Sequence, residues 1–203
     1  MPNTTTGHSY GGAESWNVRD RHMVDTLERV MAHRGPAAKA VVWGHNTHLG
    51  VASATDMADA GMVNVGQLVR ERHAEDGVMV LGFGSYQGTV LAANAWGSPG
   101  QVMTMPLARA GSVEDHLNDA VDEPSLFVFP DATTAHPDWL RDELGHRAVG
   151  VVYHPGREQW GNYVPSMLGQ RYDAFCYLPR TRALQPIHAS PTSIEPETLL
   201  TGL

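Results

Sequence analysis

The stretch Ala38-Lys39-Ala40-Val41-Val42-Trp43-Gly44-His45-Asn46-Thr47-His48 decides how the rest of the chain is read. Its first six residues are a short, mostly apolar, β-branched run bounded by turn chemistry. Such a run predicts a strand covered on both faces, as in a parallel sheet. Gly44 ends it, and a polar loop follows to Thr55 or beyond. In an open α/β sheet, ligands collect at the carboxyl ends of the strands. The loop after Trp43 is such an end, and it presents His45, Asn46 and His48.

Upstream, Trp16, Met23, Leu27, Val30 and Met31 recur at spacings near 3.6. They predict a helix capped by Ser15 or Asn17, running to about His33 and stopped by Gly35-Pro36. Downstream, Asn64 caps a second helix, 65–75, and 78–83 is a second buried-type strand. The segment 84–88 reads as a turn, so 89–93 pairs back as an antiparallel strand, followed by a short strand at 101–105. Ser112 caps a helix through about Ala120, with Glu114 and Asp115 in the first turn, where the helix dipole favours acids. Then come a strand at 126–129, a short helix at 137–144 opened by Pro137, a strand at 148–153 and a last strand at 173–178.

Strands alternating with helices predict an α/β fold with a mainly parallel central sheet and helices on both faces. The strands at 38–43, 78–83, 126–129 and 148–153 are expected to be neighbours in it. Residues 1–12 read as a disordered lead-in, 13–188 as one domain and 189–203 as a loose tail.

Composition narrows the function. Apolar residues make up 42% and charged residues 18%, an ordinary soluble balance. The net charge of −8 and scattered basic residues, all but one of the 14 being arginine, oppose binding to nucleic acid. The first ten residues lack the features of a signal peptide, and no apolar run reaches the ~18 residues of a membrane span. The expected address is the cytoplasm. Cys176 is the only cysteine and lies in an apolar stretch, where a buried thiol is expected.

The pair His45 and His48 admits several readings from spacing alone. A histidine titrates near neutral pH and an Asn amide can orient a carbonyl or a water, yet a bare His-x-x-His is more often structural. No Gly-x-Ser-x-Gly elbow, phosphate loop or His-Glu-x-x-His motif occurs.

Further segments narrow the choice. Trp16-Asn17-Val18-Arg19-Asp20-Arg21-His22-Met23 and Ala40-Val41-Val42-Trp43-Gly44-His45-Asn46-Thr47-His48 resemble the erythromycin esterase family. So do Asn64-Val65-Gly66-Gln67-Leu68, Gly82-Phe83-Gly84, Gly88-Thr89-Val90 and the late segments 148–153 and 172–175, all in the family's order. The resemblance spans roughly residues 11 to 188. It implies a hydrolase that opens macrolide lactones or related esters with water, without an acyl-enzyme or a cofactor, and a link to antibiotic resistance. It implies His45 and His48 as catalytic residues and Asn46 and Arg19 as substrate contacts.

Three departures accompany the resemblance. Gly44 stands where relatives often carry Ala or Glu, Ser85-Tyr86 stands where many relatives show Thr-His, and nothing in 1–10 matches the Gly-Glu-x-x-His-Gly type segment that supplies the family's base. The chain is therefore expected to correspond to the family's C-terminal half, to hydrolyse esters feebly by itself, and to expose an apolar face. Its expected partners are a small-molecule ester or lactone and either further copies of itself or a complementary N-terminal chain. Two other readings stand beside this one: an inactive remnant or binding module, and a metal site on His45, His48 and Asp56.

Overall fold

A computed structural model of the protein describes residues 11–129 and 138–185. The first helix, α1, spans Gly11–Arg34. It takes in Gly11 and Gly12, so the helix begins ahead of the predicted caps. Asn17 is used elsewhere: its amide donates to the Gly61 carbonyl and accepts from the Val63 N–H, both at 2.9 Å. The indole of Trp16 adds a bond to the Val63 carbonyl. Polar side chains thus pin α1 to the 61–63 loop. The predicted apolar stripe is largely open, and only Val24 and Asp20 are fully buried.

The segment 38–43 is not a strand. It joins no sheet, and Val41 and Trp43 are 93% and 83% exposed. β-branched composition favours extended backbone, but a strand exists only where a neighbour supplies the ladder of hydrogen bonds. The run leads into one helical turn, α2 (Asn46–Leu49), and then a 3-10 turn at Ala52–Ala54. Helix α3, Val65–Arg72, is capped by Asn64, whose side chain accepts from the Gln67 N–H at 3.0 Å.

Strand β1, Leu81–Ala92, is continuous for 12 residues, with no turn at 84–88. Its glycines serve packing. A Cβ on Gly82 or Gly84 would fall 2.6–2.8 Å from the rings of Phe175 or Tyr172, and one on Gly88 would strike the Thr181 backbone. A glycine inside a strand marks such a close approach as readily as a turn. Strand β2 is Gln101–Met105, helix α4 is Val113–Ala120 and strand β3 is Ser125–Val128. Ser112 caps α4 as the sequence predicts, accepting from the Asp115 N–H.

Pro137 lies outside the described residues. The helix expected over 137–144 is reduced to a 3-10 turn at Asp138–Leu140 followed by strand β4, Glu143–Arg147. The strand expected at 148–153 is also absent: a single bridge joins Val152 to Ala93. A 3-10 turn at Pro155–Arg157, helix α5 (Glu158–Gly161), strand β5 (Tyr163–Met167), helix α6 (Leu168–Arg171) and strand β6 (Ala174–Thr181) complete the order.

The main sheet has the order β2-β1-β6-β3. Only β1 and β6 run parallel; β2 and β3 flank them antiparallel, and β4 with β5 forms a separate hairpin. The fold is α/β, but its sheet is mixed rather than mainly parallel. Phe83–Cys176–Leu126 lie in register, as do Gly82–Phe175–Phe127, so alternate rows face opposite sides.

The inner rows carry Phe175 and Tyr177, which pack on Val113 and Leu117 of α4, on Leu168 and on Val51 to form the principal core. The outer row is open, with Leu126 and Val128 61% and 64% exposed and Leu81 and Phe83 partly so. Helices on both faces were expected from the alternation of elements. Among the described residues the outer face is not covered in that way.

Candidate functional site: two histidine–carboxylate pairs

The loop that begins at Gly44 turns immediately into α2, with His45 as its cap. The His45 Nδ1 accepts from the Thr47 N–H at 3.2 Å and from the Thr47 hydroxyl at 2.8 Å. Its Nε2 lies 3.0 Å from the Val149 carbonyl, which can only accept, so the ring proton sits on Nε2. Both nitrogens of the neutral ring are engaged. Solvent reaches the residue, yet the protein around the ring desolvates its cation and lowers its pKa. His48, His146 and Arg171 repel a proton there as well.

Asn46 is also committed. Its amide nitrogen donates to the Phe83 carbonyl at 2.5 Å, and its amide oxygen accepts from the Phe83 N–H at 3.3 Å. The side chain thus pairs with the edge of β1 much as a backbone unit would. The second amide hydrogen points to Nε2 of His146 at 3.3 Å.

His48 is placed differently. Its ring stacks on the indole of Trp16, 4.4 Å between centroids and 4° from parallel. Nδ1 donates to both oxygens of Asp20, at 3.0 and 3.1 Å. The Asp20 carboxylate is fully buried, and one oxygen also accepts from the Val65 N–H. A carboxylate on Nδ1 leaves the Nε2 lone pair available. Nε2 of His48 makes no hydrogen bond among the described residues, and the side chain is 26% exposed. Trp16 and Asp20 stand four residues apart on α1, hence on one helix face. That spacing was visible in the sequence and could have pointed to Asp20.

A second pair lies deeper. Nδ1 of His146 donates to Glu114 at 2.6 Å, with both side chains almost wholly buried. Glu114 also accepts from the Arg147 N–H at 3.1 and 3.2 Å. The residues come from β4 and α4, and nothing around His146 in the sequence marks it. Arg147 is spent on structure: its guanidinium binds the carbonyls of Ser85, Tyr86 and Pro106 and pairs with Glu158 at 2.7 Å.

A cleft of about 500 Å³ opens beside the loop, lined by His45, Asn46, Phe83, Arg147, Val149 and Leu178 among others. His48 and Arg19 do not line it. Arg19 lies over the Trp16 ring at 4.9 Å and 3.8 Å from Asp20, with its side chain 55% exposed. Among the described residues no group of three or more His, Cys, Asp or Glu could hold a metal, so His45, His48 and Asp56 do not assemble as ligands. No described helix is long and apolar enough to cross a membrane.

This is an α/β scaffold carrying two carboxylate-oriented imidazoles, one on the short helix α2 and one on strand β4. The model of the erythromycin esterase family matches residues 3–181, and the chain belongs to that family. Three solved structures share the fold. A Bacillus cereus protein aligns with a TM-score of 0.66 at 17% identity, over 87% of this chain and 41% of its own. A succinoglycan biosynthesis protein aligns with a TM-score of 0.64 at 16% identity, over the same shares of the two chains. A mutant of the erythromycin esterase EreC in its open conformation aligns with a TM-score of 0.53 at 21% identity, over 81% of this chain and 37% of its own. The chain therefore spans about two-fifths of the length of these relatives.

Proposed function

We propose that this chain carries the proton-transfer half of a carboxylic ester hydrolase acting on macrolide lactones or related esters, with a role in antibiotic resistance. The observation that carries the reading is the Asp20–His48 pair on Trp16. In this reading Nε2 of His48, rather than a base on the family's Gly-Glu-x-x-His-Gly type segment, removes a proton from water as the water oxygen bonds to the ester carbonyl carbon. The imidazolium so formed is stabilised by Asp20 at 3.0 Å and by the face of the indole. Collapse of the tetrahedral intermediate breaks the carbon–alkoxide bond, and His48 returns the proton to the departing oxygen. The products are a carboxylic acid and an alcohol, with no acyl-enzyme and no cofactor. Arg19, beside the same indole, supplies a cation for the oxyanion or the substrate. His45 and Asn46 line the cleft, and their groups act by holding the loop in place.

The test is hydrolysis of an aryl ester and of a macrolide lactone by the purified chain beside His48→Ala and Asp20→Asn. Turnover is expected to be slow, and His48→Ala to lower kcat by about 10²-fold, the lower end of what acid–base assistance contributes. Robust turnover unchanged by either substitution would place the chemistry elsewhere. A second reading, a binding module without hydrolysis, draws support from the full engagement of His45 and Asn46. Ligand binding measured by calorimetry with no turnover would favour it.

The open outer row of the sheet, with Trp43 against Phe83 at 5.5 Å, supports a protein partner. We propose as occupant polypeptide of the kind that makes up the remaining length of the relatives. In a solution of this chain alone, a second copy takes its place. Sedimentation at high concentration is expected to give a dimer or larger species, dispersed by Leu126→Lys with Val128→Lys. A clean monomer that binds no hydrophobic dye would refute this.

A further inference from the structure

Helix α2 is one turn long, far below the length at which a helix holds itself in water. Its place, and so the place of His45 and His48, depends on ties from elsewhere. Asn64 binds the carbonyls of Thr47 and Gly50 at 2.8 and 2.5 Å, and Arg171 reaches the Asn46 carbonyl at 3.3 Å. The Asn46 side chain supplies the tie to the sheet, through its two bonds with Phe83.

An amide in that position has one hydrogen left over, and in a half-buried setting it needs an acceptor. The acceptor is Nε2 of His146, which can accept only if the ring proton is on Nδ1. Glu114 enforces that tautomer. Its carboxylate accepts from Nδ1–H at 2.6 Å and is itself held by the Arg147 N–H. The rings of Tyr172 and Phe175 close around the imidazole edge-on, at 5.8 and 5.3 Å between centroids.

We propose that Glu114 and His146 form a positioning relay, which orders the Asn46 amide and thereby seats the His45–His48 loop on β1. The proposal rests on the reading of His48 as the proton-transfer group for its functional meaning, but not for its geometry. The relay works only with His146 neutral. A proton on Nε2 would set two donors against each other, and turning the amide over would bring its oxygen against the Phe83 carbonyl. The charged and titratable groups around His146 that bear on this are Glu114, Arg147, Arg171, His45 and Tyr172. No hydrogen bond joins Glu114 or His146 to His48 among the described residues, and neither is assigned a step in catalysis.

Two substitutions separate the ends of the relay. In His146→Asn the shorter amide can stand near Nδ1, keeping the Glu114 bond and losing the one to Asn46. In His146→Gln the longer side chain can place an oxygen near Nε2, keeping the bond to Asn46. The experiment is nitrogen-15 NMR of the full chain, reading imidazole tautomers and exchange of the Asn46 side-chain amide. In the unsubstituted protein His146 is expected with its proton on Nδ1 alone. His146→Asn is expected to speed Asn46 amide exchange by about tenfold, the size of one lost hydrogen bond, and to shift the His45 and His48 ring signals. His146→Gln should leave these near their original values.

A His146 ring protonated at Nε2 in the unsubstituted protein, which needs no variant to fold, would overturn the relay. So would loop signals that respond equally to both substitutions. A chain that shows the expected tautomer but hydrolyses no ester would sink the proposed function and leave the relay standing.

Discussion

The Asp20–His48 and Glu114–His146 pairs are built alike at one end and unlike at the other. In each, a fully buried carboxylate accepts a hydrogen bond from Nδ1–H and so fixes the tautomer. The difference is at Nε2. His48 leaves it without a hydrogen bond among the described residues, on an indole face within reach of solvent. His146 spends it on the Asn46 amide, 1% exposed. A carboxylate–imidazole pair is thus no sign of chemistry by itself. What meets the second nitrogen separates a group that can exchange protons with a substrate from one that holds other groups in place.

The comparison can be broken most sharply by removing the buried carboxylate. Glu114→Leu strands the His146 Nδ1–H and the Arg147 N–H together, and its expected cost is about 2–6 kcal/mol of stability, from two buried donors each worth about 1–3 kcal/mol when left unsatisfied. Urea denaturation checks it. A loss below 1 kcal/mol would mean that the deeper pair is not the more demanding one.

Asp20→Asn should cost less stability, about 1–2 kcal/mol, because an amide oxygen can still accept from the Val65 N–H or from His48. Its main effect should fall on the imidazole. An amide no longer holds the ring proton on Nδ1 as the carboxylate does, so nitrogen-15 NMR should show His48 as a mixture of tautomers. A ring that keeps its proton on Nδ1 alone would say that Asp20 does not fix the tautomer.

The smallest expected effect concerns His45, whose ring belongs to neither pair. Its pKa is lowered in the folded protein, so the unfolded chain binds more protons than the folded one over that interval. Stability from this residue is complete above its ordinary pKa, about 6.5, and is lost as pH falls through the lower folded value. Denaturation midpoints between pH 7 and pH 5 should therefore decline less steeply in His45→Asn. Asparagine retains an N-cap oxygen without the titration.

Much of the local structure was legible in the sequence, for local reasons. Asn64 and Ser112 act as helix caps because the bond each makes closes within three residues. The strands at 101–105 and near 126–128 and 174–178 are short apolar runs that did find neighbours. The run 38–43 has the same composition and found none. The glycines of 82–88 suggested a turn, because the rings of Tyr172 and Phe175 and the Thr181 backbone that require them lie about 90 residues further on.

The site divides in the same way. The sequence pointed to His45, Asn46 and His48 as one cluster, but it did not distinguish their roles. Asp20, Glu114 and His146 were not singled out, because their bonds span 28, 32 and 100 residues.

What the sequence by itself determined is therefore the family, the α/β class, the caps of α3 and α4 and the loop that carries the histidines. These follow from residue order and from interactions that close within a turn. Only the tertiary structure decided that the sheet is mixed, that His45 is a cap, that Asn46 is a clamp and that His48 has a carboxylate behind it. The physical reason is that a hydrogen bond confers a role only when both partners are in place. Here those partners meet through packing, across separations that no local pattern records.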